Sequence, residues 1–130
     1  MRILALPAFK NRRENPYTGM LYDAVRETPG VTVAEFTNRR LLMERWDILH
    51  IHWPDAPLHR AKASDAALYA ALLIARVLWA KLLGARLVWT VHNLRSHHVV
   101  FPRIEGWLSV HLKVYNAEMA GGQCTFKEKN

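Results

Sequence analysis

Arg86-Leu87-Val88-Trp89-Thr90-Val91-His92-Asn93-Leu94 is an apolar run, rich in β-branched residues, that stops at a His beside an amide. Such a run reads as a buried strand. Asp47-Ile48-Leu49-His50-Ile51-His52-Trp53-Pro54-Asp55 repeats the pattern and stops at a His beside an indole. Open α/β sheets bind ligands at the carboxyl ends of their strands. Polar, ring-bearing residues where two buried strands run out therefore mark the rim of a site.

Working outward, residues 2–6 are a short apolar run closed by Pro7, a first strand. The polar stretch 8–15 follows. Asn15-Pro16 reads as an N-cap followed by Pro at the first helical position. Tyr17, Met20, Leu21 and Val25 then fall near helical spacing, and Thr28-Pro29-Gly30 ends that helix. Residues 31–36 are a second strand. Residues 39–46 are a short amphipathic helix with Leu41, Leu42 and Trp46 facing in. Residues 48–52 are the third strand, and a Pro-bounded loop occupies 53–62. Ser64 is placed to cap a long helix ending near Leu83 at Gly84. Residues 86–92 are the fourth strand. Ile104, Trp107, Leu108, His111, Leu112 and Tyr115 keep the spacing of one more amphipathic helix.

Strands alternating with helices give an α/β, Rossmann-like parallel sheet flanked by helices. The expected strand order is 2-1-3-4. It places the switch point between strands one and three, so the loops after Leu6 and His52 border one crevice. Pro7, His52 and His92 then share one edge of the sheet. Residues 1–115 make the domain, and 116–130, which lack any sustained period, read as an irregular tail.

The chain has 130 residues, 51% of them hydrophobic, enough for one domain with a sizeable core. Net charge is +7, which permits nucleic acid, anionic lipid or a phosphorylated ligand as partner. One cysteine, Cys124, excludes an internal disulfide and a Cys-rich zinc site, and fits a reducing compartment. The amino-terminal apolar stretch is too short for a signal peptide. From Ala66 to Leu83 the chain is almost wholly apolar, but Arg76 and Lys81 interrupt it. It sits between two strands of one sheet and reads as a crossover helix. Its apolar excess points to a second contact, with a membrane surface or another domain.

The two His-ended strands, with Gly84-Ala85 before the second, and Asn15-Pro16-Tyr17-Thr18 with Leu21-Tyr22 resemble the amino-terminal domain of GT-B glycosyltransferases. The likeness is to bacterial exopolysaccharide enzymes of the xanthan mannosyltransferase kind, over roughly residues 1–112. It implies two Rossmann-like domains facing a cleft. The amino-terminal one receives a lipid-linked or saccharide acceptor, and the other holds the nucleotide-sugar donor. The sequence carries only the first, and that one incomplete, which reads as a truncated copy. The expectation is an acceptor-side domain of exopolysaccharide biosynthesis, inactive alone. It would be cytoplasmic, and peripheral at the inner face of the plasma membrane. The alternative is a catalytically dead remnant serving as a binding module.

Sugar transfer uses stabilisation of the leaving phosphate and, in inverting enzymes, a base near the acceptor hydroxyl. His52, Asp55 and His92 sit where such a base belongs. Asp55 is the first choice, because a carboxylate among basic side chains stays ionised; a purely loop-shaping Asp55 is the other reading. His92-Asn93 reads equally as fixing the loop after strand four. Lys10, Arg12, Arg13, Arg95 and Arg103 form a basic rim suited to pyrophosphate or anionic headgroups, or simply a solvated surface. Asn15, Tyr17, Trp53 and Asn93 complete the acceptor-binding set, with Trp53 able to stack on a sugar or to pack in the core. No carboxylate stands at ligand spacing from His50, His52, His97 and His98, so no metal is expected. No cofactor is expected. The stretch after strand one has no Gly-x-Gly-x-x-Gly, which disfavours a dinucleotide site. No recognised motif and no aromatic–basic interleaving supports nucleic acid.

Overall fold

The computed structural model describes residues 1–54, 58, 62–91 and 100–117. Asp55, His92, Asn93, Arg95 and the tail from residue 118 onward lie outside the described residues. The elements run β1 (Arg2–Leu6), α1 (Tyr17–Arg26), β2 (Thr32–Glu35), α2 (Asn38–Met43), β3 (Ile48–His52), α3 (Ala63–Leu82), β4 (Arg86–Thr90) and α4 (Pro102–Ala117). All strand pairings are parallel and the sheet order is β2-β1-β3-β4, as expected. The arrangement is α/β and Rossmann-like.

Both faces of the central strands are covered, so β1 is apolar on both, while β3 is apolar on one face and carries two histidines on the other. Leu4, Leu49, Ile51 and Leu87 join a core built with Leu41, the inner face of α3, and Leu108 and Leu112 of α4. Ile3 and Ala5 join a second core on the opposite face with Ala8 and Tyr22, against which Leu21, Val25, Val33 and Ile48 pack. Alternation along β3 therefore places His50 and His52 on the α1 side. α3 buries Ala66, Ala70, Leu73, Ile74, Val77 and Ala80. Each large aliphatic side chain so buried contributes roughly 1.5–3 kcal/mol. Helix α3 is long and apolar enough to cross a membrane by length and composition, but its inner face lies on the sheet.

α3 ends in a Schellman arrangement. Gly84 sits at φ +90°, its N–H donates to Lys81 O (2.9 Å), and Ala85 N–H donates to Ala80 O (2.9 Å). At the other end the N-cap is Lys62, and Ser64 falls inside the first turn, where its hydroxyl donates to Asp65 at 3.4 Å and caps nothing.

Several expected faces are corrected. Met20 is 69% exposed, because α1 buries Thr18, Gly19 and Tyr22 rather than a stripe through Met20. Leu42 is exposed, because α2 has six residues and turns only Leu41 inward. Trp46 is buried as expected, but beyond the helix, where its indole N–H donates to Arg40 O at 3.0 Å. Among the described side chains of α4 the buried stripe is Leu108 and Leu112 with Ile104 beside them; that of Tyr115 lies outside the described residues. Trp107 is exposed and stacks on His111 at 4.2 Å between ring centroids.

Candidate functional site

The switch point between β1 and β3 opens at the carboxyl edge of the sheet. The chain leaves β1 at Leu6 and folds back over that edge before α1. Turns hold this loop: Arg12 N–H donates to Phe9 O, and the Glu14 and Asn15 amides donate to Asn11 O. Thr18, fully buried, donates its hydroxyl to Asn11 Oδ1 at 3.1 Å. Asn15 Oδ1 accepts from Tyr17 N–H (3.1 Å), but the helix starts one residue later than expected: Pro16, already with helical φ and ψ, is the N-cap and Tyr17 the first helical residue. That start delivers Tyr17 to the mouth of the crevice.

β3 supplies the other wall. His52 is 1% exposed, and its Nε2 lies 2.7 Å from the Tyr22 hydroxyl of α1. His50, one pleat earlier on the same face, has its Nε2 2.7 Å from Thr90 Oγ1 of β4. The two imidazoles stand 4.3 Å apart between centroids. Tyr22 meets both edge-on at 5.7 Å. Burial pushes the Tyr22 hydroxyl well above the usual phenol range, with Tyr17 and Glu35 adding to the shift.

After His52 the backbone turns sharply. Trp53 adopts φ +43°, a left-handed conformation that a bulky side chain rarely takes. Such strain persists only where the surroundings over-determine it, and it concentrates at functional sites. Here it brings the indole against Tyr17, edge-on at 6.2 Å, and beside His52 at 5.7 Å. Tyr17 also meets His52 edge-on at 6.2 Å. The result is a continuous column of rings, from His50 and Tyr22 inside to the half-exposed Tyr17 and Trp53 at the rim. An aromatic rim of this kind presents flat apolar faces edged by polar groups, a surface on which sugar rings stack.

The basic residues divide. The Arg12 guanidinium lies across Gly19, over the Phe9 ring, and pairs with Asp23 at 2.7 Å. Arg13 is exposed, with no ion-pair partner among the described residues. Arg103 lines a groove of about 340 Å³ between α3 and α4, with Ala67, Ala70, Ala71, Ile104 and Trp107, on the face of the sheet opposite α1. Of the residues singled out in the sequence, the structure thus brings together His52, Trp53, Tyr17 and Asn15, with Arg12 and Arg13 on the adjoining loop. Among the described residues no three His, Cys, Asp or Glu side chains converge as metal ligands.

Sequence reasoning missed three participants. Tyr22 entered only as part of a motif, not as the partner of His52. Thr90 entered only as a strand residue. Glu35 entered only as an unnamed residue of the second strand, yet its Oε2 accepts from three consecutive backbone amides of the loop, Ala8 (3.1 Å), Phe9 (2.7 Å) and Lys10 (2.9 Å). A carboxylate one residue from the end of that strand was the one available signal.

No family model matches the chain, and no solved structure matches it. Among curated proteins it is similar to a GDP-mannose:glycolipid 4-beta-D-mannosyltransferase of Xanthomonas campestris pv. campestris, with 39% identity over 90 residues. The same identity holds for the enzyme of a particular strain of that pathovar. The match covers 67% of this chain and 24% of the relative, so the chain spans about a quarter of the protein it matches. Over that stretch the chain is related to a glycosyltransferase.

Proposed function

We propose that these residues form the acceptor-side half of a GT-B glycosyltransferase that moves a sugar from a nucleotide-sugar donor to a lipid-linked or saccharide acceptor. The similarity to a mannosyltransferase acting on a glycolipid carries this reading, with GDP-mannose as the first donor to test. The Tyr17–Trp53 rim at the sheet's switch point supports it, as the place for the acceptor's sugar. Arg13, with Arg12 beside it, is positioned for an acceptor phosphate. In the transfer an acceptor oxygen attacks the anomeric carbon, the bond to the donor phosphate breaks, and the nucleoside diphosphate leaves with the electron pair. The acceptor proton passes to a base. Asp55 is the proposed base and His92 the reserve. His52, buried on Tyr22, is a positioning residue in this reading.

Donor binding falls to a second domain, so the 130-residue chain alone binds acceptor and does not turn over. The role proposed is exopolysaccharide synthesis on the cytoplasmic side of an anionic membrane, to which the chain adheres peripherally. The test is tryptophan fluorescence of the purified chain titrated with a polyprenyl-pyrophosphate glycan in detergent, beside GDP-mannose. Saturable quenching by the glycan, lost in Trp53→Ala, is expected, with no sugar transfer. Binding of GDP-mannose in place of the glycan, or robust turnover by the 130-residue chain, overturns the assignment.

A further inference from the structure

Open α/β domains that hold nucleotides use two devices at this edge. Backbone amides of the loop after the first strand take the phosphate, and an acid at the end of the second strand takes the ribose. This chain has both in place, turned upon each other. The parallel register sets Ala5 opposite Glu35, and Phe36 N–H donates to Ala5 O at 2.8 Å, so Glu35 sits level with the last turn of β1 into its loop. Alternation puts Glu35 on the same face as Val33, the α1 side, over which the loop folds. The amides of Ala8, Phe9 and Lys10 converge on a single carboxylate oxygen within 3.1 Å. Successive amides aimed at one point form an anion nest. Its resident here is the protein's own carboxylate. Arg40 fixes the backbone behind it, Nη1 donating to Glu35 O at 2.9 Å. Ala8, fully buried, and Phe9 fill space that glycines leave open in phosphate-binding loops.

We infer that Glu35 is a specificity-determining residue that closes the first βα loop to nucleotide phosphate. An external phosphate would have to displace a tethered carboxylate and lie beside its charge. The acid that would otherwise read a ribose is spent in the same contact. A nucleotide is thereby kept from this half of the cleft, and anionic ligands meet the domain only at its outer cations. The inference deepens the acceptor-side reading, but it does not depend on the chain transferring sugar.

The test is a titration of ¹⁵N-labelled protein with pyrophosphate and with GDP, followed at the amides of Ala8, Phe9 and Lys10. In the wild type these three signals stay fixed through millimolar ligand. In Glu35→Ala they shift saturably, with pyrophosphate at least about tenfold tighter than in the wild type, and acetate competes because it restores the missing carboxylate. Glu35→Gln keeps one neutral acceptor oxygen and serves if Glu35→Ala fails to fold; its three amides are expected to respond to pyrophosphate more than those of the wild type. Wild-type amides that titrate with GDP or pyrophosphate overturn the inference. So does a folded Glu35→Ala protein whose three amides ignore both pyrophosphate and acetate. Glycan quenching at Trp53 is a separate signal, so loss of the acceptor reading and loss of the closed nest are told apart.

Discussion

Tyr22 and His52 join α1 to β3 through a 2.7 Å contact between the phenol oxygen and Nε2, with each side chain 1% exposed. Removing the hydroxyl takes a hydrogen bond from a buried imidazole, which costs about 1–3 kcal/mol. Tyr22→Phe is therefore expected to lower the melting temperature by several degrees while keeping the fold. A melting curve unchanged from wild type would mean that the contact contributes nothing net.

The same hydroxyl gives the protein an alkaline weakness. Its pKa in the folded state is raised above the ordinary 10.0, chiefly by burial. The stability it lends is fully present below pH 10 and is lost as pH rises beyond, because the unfolded chain ionises first. Urea midpoints measured from pH 8 to pH 11 should fall more steeply for wild type than for Tyr22→Phe. Parallel slopes would remove Tyr22 as the cause.

Gly84 carries the turn from α3 into β4 at φ +90°. Gly84→Ala is expected to destabilise by about 1 kcal/mol, and Gly84→Asn by less, since Asn tolerates the left-handed region. Urea denaturation of the two variants checks the order; equal costs would argue against the conformational explanation.

At the rim, Trp53→Ala is expected to weaken glycan binding by roughly three- to tenfold, the scale of one aromatic contact, and Trp53→Phe by less. Both variants should melt close to wild type, because the indole is half-exposed. A large fall in melting temperature with unchanged binding would assign Trp53 to the core instead.

The outer face of α3 presents Leu68, Leu72, Trp79 and Leu82 to solvent, at 61%, 45%, 42% and 78% exposure. With a net charge of +7, this stripe is expected to bind anionic vesicles. Each basic group near the surface adds ~1 kcal/mol, which salt screens. Co-sedimentation should fall with salt and fall further in a Leu72→Glu, Trp79→Glu double variant. Binding that ignores salt and resists alkaline extraction would indicate insertion. Absence of binding at low salt would leave the stripe and its cations without this role.

The strands and their order were legible because the apolar runs stop abruptly, at Pro7 for β1 and at the Trp53-Pro54 turn for β3. The connections also leave one economical winding. Helix faces were less legible. Periodicity grouped Met20 with Leu21 and Leu42 with Leu41, but which member faces inward depends on what lies opposite, and that is a tertiary fact. The rim residues Tyr17 and Trp53 showed in sequence as rings at element ends. Tyr22 and Glu35 did not, because each works through partners 25 to 30 residues away, His52 on β3 for Tyr22 and the loop after β1 for Glu35, and no local pattern reveals either pairing.

The strand order also decides when the site can exist. β1 pairs with β3 across the whole of α1, β2 and α2, Ile3 standing opposite Ile48. Tyr17 and Trp53 therefore meet only after a long stretch of chain has closed on itself, and that closure entropy is spent before any contact rewards it. No hairpin or single helix of this protein carries the ring column in miniature. Indole emission at the rim should accordingly develop together with the sheet as the chain folds, which makes Trp53 a reporter of the finished topology.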